Sequence, residues 1–392
     1  MRAALQSIVR RTRALDRRLS RRADRRRVLV DARTPVNFTM LAPVVRAMKR
    51  DPRVAFFFTA SDEPGRMREI YREARGIRTI HPLRAALMRF DAYVASDFMW
   101  ASLPRGTKRV QVFHGVGGKY GFDAPTTSMR DWDRLFFVNE RRLANFVAAG
   151  AIDRDSSAIR LIGMPKVDCL VDGTYARDTV LTALTLDPGR PTVLYAPTWS
   201  PASSLNAMGI ALVEALSRLP VNLIVKLHDR SRDPRARYSG GVNWPTRLQP
   251  HLVPGRSVLA PGHDISPYLV AADVMITDHS SAGFEFLLRD RPLVRIHRPR
   301  LLELANVHQD YVRLLASASD STRDVAETVA AVERGVADPS GGSEERRRIA
   351  AELFYRPGGA TTRSVQALYE VIDLEAATSV GTLREAECQP SA

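Results

Sequence analysis

Val274-Met-Ile-Thr277-Asp278-His279-Ser280-Ser281-Ala-Gly-Phe284-Glu285-Phe-Leu287-Leu288 runs from a short apolar segment straight into an amphipathic period. The apolar part predicts a strand over Val274–Thr277, and Phe284, Leu287 and Leu288 recur at helical spacing, which predicts a helix from Ser281 to Arg289. A strand that feeds a helix this directly is half of a βαβ crossover, and such crossovers build parallel sheets. The alternation continues outward in both directions. Thr192–Ala196, Asn222–Leu227, Ser257–Ala260 and Leu293–Ile296 read as strands, with a helix over Asn206–Arg218. Upstream of the Pro/Gly/Asp-containing segment Leu186–Pro191 the pattern repeats. Strands are expected there at Val28–Asp31, Val54–Thr59, Ala92–Ala95, Val110–His114, Leu135–Val138 and Ile159–Ile162, and helices around Pro43–Lys49, Pro64–Arg75 and Glu140–Ala149. Two α/β domains follow, each doubly wound and Rossmann-like, facing each other across a cleft.

The domain reading is a basic arm at 1–27, an N-terminal domain at 28–180, a C-terminal domain at 181–345, closing helices at 346–378 and a disordered tail at 379–392. The 392 residues include 58 Lys and Arg against 43 Asp and Glu, a net charge of +15. Eleven Arg against Asp16 and Asp24 give the first 27 residues +9 of that total. Leu5, Ile8, Leu15 and Leu19 make a thin apolar stripe through those arginines, the pattern of a cationic amphipathic helix. An anionic membrane surface is its expected partner; a solvated arm or nucleic acid are the other readings of the same charge. No apolar run reaches the length of a bilayer span, and no secretory signal is recognisable, so a cytoplasmic protein is expected. Cys169 and Cys388 are the only cysteines, too few and too isolated for a disulfide framework or a zinc site.

In open parallel sheets ligands bind beyond the carboxyl ends of the strands. Four such ends hold chemistry-bearing residues: Val110-Gln-Val-Phe-His114-Gly-Val-Gly-Gly-Lys119, Val193-Leu-Tyr-Ala-Pro197-Thr198-Trp199, Leu223-Ile-Val-Lys226-Leu-His228-Asp229 and Thr277-Asp278-His279-Ser280-Ser281. His114 is followed by Gly115, Gly117 and Gly118, a loop whose backbone can approach a ligand closely. It is neither a Walker A loop nor a dinucleotide fingerprint, because Tyr120 stands where Ser/Thr or the last glycine would be required. Ser280 and Ser281 fall at a helix start, where free N–H groups favour phosphate; the same residues also serve as plain N-caps. Glu285 is four residues after Ser281 where a capping box requires three, and could reach ribose hydroxyls. Only five lysines occur, and Lys119 and Lys226 both lie in these segments, where a compact ammonium suits an anion.

Taken together, the four segments resemble those of the CDP-glycerol glycerophosphotransferase family of teichoic-acid-type polymer synthesis. Members carry a His-Gly-Thr-Pro-Leu-Lys-like segment, then Tyr-Ala-Pro-Thr, Lys-Leu-His-Pro and Thr-Asp-Tyr-Ser-Ser. The counterparts here are His114–Lys119, Tyr195–Thr198, Lys226–Asp229 and Thr277–Ser281. The resemblance spans about residues 90 to 375 and implies a GT-B fold, a nucleotide donor held mainly by the second domain, and no cofactor or protein-chelated metal. It implies His114 as catalytic base, with His228, Ser280 and Ser281 on the donor phosphates. Lys119, Pro197, Thr198, Lys226, Thr277, Asp278 and Glu285 complete the donor side. Gly117-Gly118 in place of Pro-Leu, His279 in place of Tyr, Asp229 in place of Pro, and Trp199-Ser200 in place of an aromatic followed by Arg depart from the pattern.

The activity so implied is transfer of glycerol phosphate, or a related alditol phosphate, from a CDP-activated donor to a hydroxyl of a polymer or lipid-linked acceptor, with release of CMP. That places the enzyme peripherally at the inner face of the cell membrane. The alternative is a GT-B glycosyltransferase or nucleotide-sugar 2-epimerase acting on a UDP-sugar. A non-enzymatic adaptor driven by the arm is the third possibility, and it would not need the His and Ser set.

Overall fold

A computed structural model describes residues 9, 11–14, 16, 25–72, 74, 76–96, 98–113, 115–117 and 127–375. Of these, the residues up to Gly115, from 127 to Asp168 and from Tyr355 onward form one compact unit, and Val116, Gly117 and Cys169–Phe354 form another.

In the first unit β1 (Arg26–Asp31), β2 (Val54–Thr59), β3 (Ala92–Ser96), β4 (Lys108–Val112), β5 (Arg134–Phe137) and β6 (Ile159–Leu161) make one sheet in the order 2-1-3-4-5-6. Every pairing is parallel. All five residues of β3 are buried, as expected of a strand covered on both faces. The helix expected from Pro43 instead spans Pro35–Met48. Thr34 accepts the Asn37 N–H at 3.3 Å and Pro35 takes a first-turn position, a start signal stronger than the interior Pro43 is a stop. The expected helix from Pro64 is short, a 3-10 turn at Pro64–Arg66 and one α turn at Met67–Ile70.

The helix Ala360–Val371 belongs to this same unit: Val365, Leu368, Tyr369, Val371 and Ile372 are buried in the core that holds Val28, Val30, Leu41 and Val45. Its first turn is capped from far away in sequence. Asp168 accepts the N–H groups of Gly358 at 2.8 Å, Ala360 at 3.1 Å and Thr361 at 2.7 Å, satisfying donors that a helix start leaves open. Of the arm, Arg11–Ala14 are helical. Arg13 donates to the Ala86 carbonyl at 3.0 Å, and Asp16 accepts from Arg27 at 2.9 Å and from the Arg89 N–H at 2.7 Å. Leu5, Ile8, Leu15 and Leu19, which carry the expected stripe, lie outside the described residues, as does the tail from Ser379.

In the second unit β7 (Thr192–Tyr195), β8 (Asn222–Val225), β9 (Ser257–Leu259), β10 (Val274–Thr277), β11 (Leu293–Ile296) and β12 (Asp320–Thr322) form a second parallel sheet in the order 12-11-10-7-8-9. The chain builds outward from β7 in one direction and from β10 in the other, so the topological switch point lies between them. Val193, Tyr195, Leu223, Val225, Val274, Ile276, Val294 and Ile296 pack with Leu212 and Leu216 of the helix Ser204–Leu216 and with Val332 of Val325–Ala337. Each such side chain contributes about 1.5–3 kcal/mol by burial. The helix after β10 is α-helical over Ser281–Phe286 and tightens to a 3-10 turn at Leu287–Arg289. It ends at Asp290, whose φ is +48°.

Candidate active site

At the switch point the ends of β7 and β10 are tied together by side chains. Asp278 is 1% exposed. Its Oδ2 accepts the Thr198 N–H at 3.1 Å, and its two oxygens accept the Ser204 N–H at 3.2 and 3.3 Å. Ser203, at the cap position of the helix Ser204–Leu216, makes no capping bond of its own, so Asp278 serves as a cap delivered from another strand. Burial pushes the Asp278 carboxyl up to about 6, against the opposing pull of the Ser204 and Thr198 bonds and the charge of Arg298. Thr198 Oγ1 donates to the His279 carbonyl and Thr277 Oγ1 to the Ala196 carbonyl, both at 2.7 Å. Thr277 Oγ1 also lies 2.9 Å from Ser280 Oγ, which accepts the Gly283 N–H at 3.2 Å. Thr277, Asp278, Pro197 and Thr198 are all buried; they shape the loops. Ser280 is half-buried and Ser281 exposed at the helix start, so these hydroxyls remain at the surface of the site. Glu285, read from the sequence as a ribose ligand, is 1% exposed.

The end of β8 lies beside that of β7, since Trp199 and His228 rings are 6.2 Å apart. The Arg230 guanidinium sits 4.4 Å over the Trp199 ring, and Tyr238 meets Trp199 edge-on at 5.9 Å. His228 Nδ1 accepts the Arg230 N–H at 3.1 Å, which assigns the neutral ring's hydrogen to Nε2 and makes that edge a donor. The Lys226 ammonium donates to the Gly262 carbonyl and lies 5.9 Å from the Tyr268 ring centroid. Asp229 Oδ1 is 2.6 Å from His263 Nδ1. Burial acts to raise the Asp229 carboxyl, but its bond to His263 and the charges of His228, His263 and Lys226 outweigh it and hold the group below the ordinary range.

His114 and Lys119 lie outside the described residues. Beside His114 in the first unit, Phe113 packs against Phe137 at 4.8 Å, the Arg142 guanidinium lies 4.2 Å over the Phe113 ring, and Arg142 donates to the Gly115 carbonyl at 2.9 Å. At the end of β1 the buried Asp31 accepts from the Ser61 N–H at 3.0 Å and from Tyr93 at 2.7 Å. Burial, the largest influence, raises its carboxyl.

The structure thus gathers Pro197, Thr198, Lys226, His228, Thr277, Asp278, Ser280 and Ser281 along one sheet edge, and adds Arg230, Arg298, Ser204 and His263, which the sequence reading passed over. No local pattern marks them, because each meets its partner across strand ends rather than along a strand or helix. Among the described residues no group of three or more His, Cys, Asp or Glu could hold a metal ion, and no helix is long and apolar enough to cross a membrane.

Comparison with known proteins places the chain. The profile of the CDP-glycerol:poly(glycerophosphate) glycerophosphotransferase family matches residues 31–369. No curated protein sequence matches. Among solved structures, a variant of the wall teichoic acid polymerase TagF is similar, with 14% identity, a TM-score of 0.68 and 89% of each chain covered. S. aureus MnaA with UDP is similar at 12% identity and TM-score 0.55 over 89% of this chain and 98% of that one. The calicheamicin glycosyltransferase CalG4 matches at 13% identity and TM-score 0.54, over 89% and 98%. The two parallel six-stranded sheets and these neighbours define a GT-B fold. The chain belongs to the CDP-glycerol:poly(glycerophosphate) glycerophosphotransferase family and is a transferase of that type.

Proposed function

We propose that the enzyme transfers glycerol phosphate from CDP-glycerol to a hydroxyl of a polymer or lipid-linked acceptor at the membrane, releasing CMP. The observation that carries this reading is the switch-point assembly, in which Asp278 and Thr277 fix the β7 and β10 loops and leave Ser280 and Ser281 at the surface of the site. Such hydroxyls beside helix-start N–H groups suit a donor phosphate. A TagF structure with CDPG, of TM-score 0.66 to this chain, supports the donor class.

In the proposed reaction the acceptor oxygen attacks the phosphorus that bears glycerol, that P–O bond forms, and the P–O bond to CMP breaks. Transfer of this kind is mostly alignment and charge neutralisation. His228 Nε2–H and the Ser281 hydroxyl hold phosphate oxygens, Ser280, whose own hydrogen goes to Thr277 Oγ1, fixes the helix start that faces them, and Lys119 adds positive charge. His114 takes the acceptor proton, a role suited to an imidazole with an ordinary pKa of about 6.5. Lys226, bonded to Gly262, acts through the loop it holds and through its field. Residues 1–27 bring the enzyme to the anionic inner face of the membrane, where a lipid-linked acceptor is found.

The test is thermal stabilisation of the full chain by CDP-glycerol, CDP-ribitol, CDP, CMP, UDP and UDP-sugars. A ligand at 100 times its Kd adds about 2.7 kcal/mol. Stabilisation by CDP-alcohols above UDP-sugars supports the proposal, and the reverse order supports a UDP-sugar enzyme.

A further inference from the structure

The turn Ala260-Pro-Gly-His263, which follows β9, is anchored by a side chain at each of its residues. Arg232 donates to the Ala260 carbonyl at 2.8 Å, the Tyr268 hydroxyl to the Pro261 carbonyl at 2.9 Å and the Lys226 ammonium to the Gly262 carbonyl. Asp229 holds His263 Nδ1 at 2.6 Å. A turn that only joins a strand to a helix needs no such anchoring; a turn that must aim its last side chain does. The side chains of Asp229 and His263 are 13% and 18% exposed, so the pair is largely shielded from solvent, and Asp229 Oδ2 is buried without a hydrogen-bond partner among the described residues. The charge of Asp229 is therefore directed chiefly at His263, with His228 and Lys226 close by. Arg230 and Arg232 of the 3-10 turn Asp229–Arg232 and Asp264 beside His263 are the other charged groups of these segments. With Nδ1 donating to Asp229, Nε2 bears a hydrogen only in the protonated ring.

We propose that His263, aimed by Asp229, is a further catalytic residue whose Nε2–H binds a donor phosphate oxygen beside His228 and protonates the departing nucleotide. This rests on the glycerophosphotransferase reading. As the P–O bond to CMP breaks, the Nε2 proton passes to the bridging oxygen that leaves with CMP, while the acceptor proton goes to the base, His114. The ring is left neutral with its Nδ1–H still on Asp229, and water restores the lost proton. Asp229 is a positioning residue.

Two substitutions separate the two ring nitrogens. His263→Asn retains a donor toward Asp229 and removes the Nε2 edge; His263→Gln supplies a donor near Nε2 but cannot transfer a proton. Calorimetric titration with CDP and with cytidine, and kcat and KM with CDP-glycerol, are measured on the full chain. The Asn variant is expected to bind CDP about 10-fold more weakly, a difference of about 1.4 kcal/mol, with cytidine affinity unchanged. The Gln variant is expected to keep KM within a few-fold while kcat falls at least about 10-fold. Asp229→Asn should shift the fall of kcat with rising pH to lower pH. Wild-type kcat in both His263 variants, or equal loss of CDP and cytidine binding in the Asn variant, overturns the proposal. If the wild-type protein binds CDP and either result is found, only the His263 role fails; if it binds no cytidine nucleotide, the donor reading fails and takes this role with it.

Discussion

Replacing Asp278 by Asn should make the stability difference between the two proteins depend on pH in a direction opposite to that of an ordinary ion-paired carboxylate. Asp278 is pushed up to about 6 by burial, from an ordinary value of 3.8. The unfolded chain therefore ionises first, and as pH rises from 3.8 towards 6 the folded state alone retains the proton, so stability is lost across that window. Above it the cost of the buried charge levels off at about 3 kcal/mol, two pH units at 1.36 kcal/mol each. At about pH 5 the cost is about half of that. Asn cannot ionise. It keeps one acceptor for the Thr198 or Ser204 N–H and leaves the other donor unpaired, at a pH-independent cost of about 1–3 kcal/mol. All other titrations are common to both proteins, so the difference in unfolding free energy should move by about 1 kcal/mol in favour of wild type between about pH 7.5 and pH 5. Denaturant unfolding of both proteins at the two pH values measures it. A difference that stays constant with pH would show that Asp278 is not a buried, proton-linked clamp.

Four further outcomes follow from named residues. His114→Ala should lower turnover by about 100-fold or more with donor affinity kept within a few-fold, and near-normal turnover would remove it from catalysis. The pair Ser280→Ala and Ser281→Ala should weaken CDP binding more than cytidine binding, whereas equal weakening would mean simple loss of a helix cap. Gly163→Ala should cost about 1–3 kcal/mol in a denaturant titration, because at φ +86° its Cβ would meet the Tyr355 carbonyl at 2.6 Å; unchanged stability would refute that packing. Flotation with anionic vesicles should be lost on deletion of residues 1–27 and should decline with salt as the Debye length falls from about 10 Å to about 3 Å; equal flotation with and without the arm would assign it another purpose.

The strands were legible because parallel sheets bury both faces, leaving apolar runs such as Val274–Thr277 and Leu293–Ile296 whose limits match the structure. The edge strand Asp320–Thr322 carries no apolar run, with two of its three residues exposed, and it gave no signal. The helices Gln309–Ser317 and Val325–Ala337 lie outside the four strand-end segments and carry none of their motif residues. Motif residues such as Ser280 and His228 could be located from their place after strands. What they do there could not, because it depends on partners from other strands. Asp278 looked like a ligand contact from its motif, yet the structure buries it among the Thr198 and Ser204 amides. Lys226 reads as a phosphate contact from its motif, and the structure shows its ammonium on the Gly262 carbonyl.

The measurement that bears most directly on the proposed chemistry is the identity of the nucleotide product. Full-length enzyme incubated with CDP-glycerol and a lipid acceptor ending in glycerol phosphate, followed by phosphorus NMR, should convert the diphosphate signals into equal amounts of CMP and a new phosphodiester. Attack at carbon would release CDP instead. Appearance of CDP, or consumption of a UDP-sugar while CDP-glycerol is left untouched, would contradict the account.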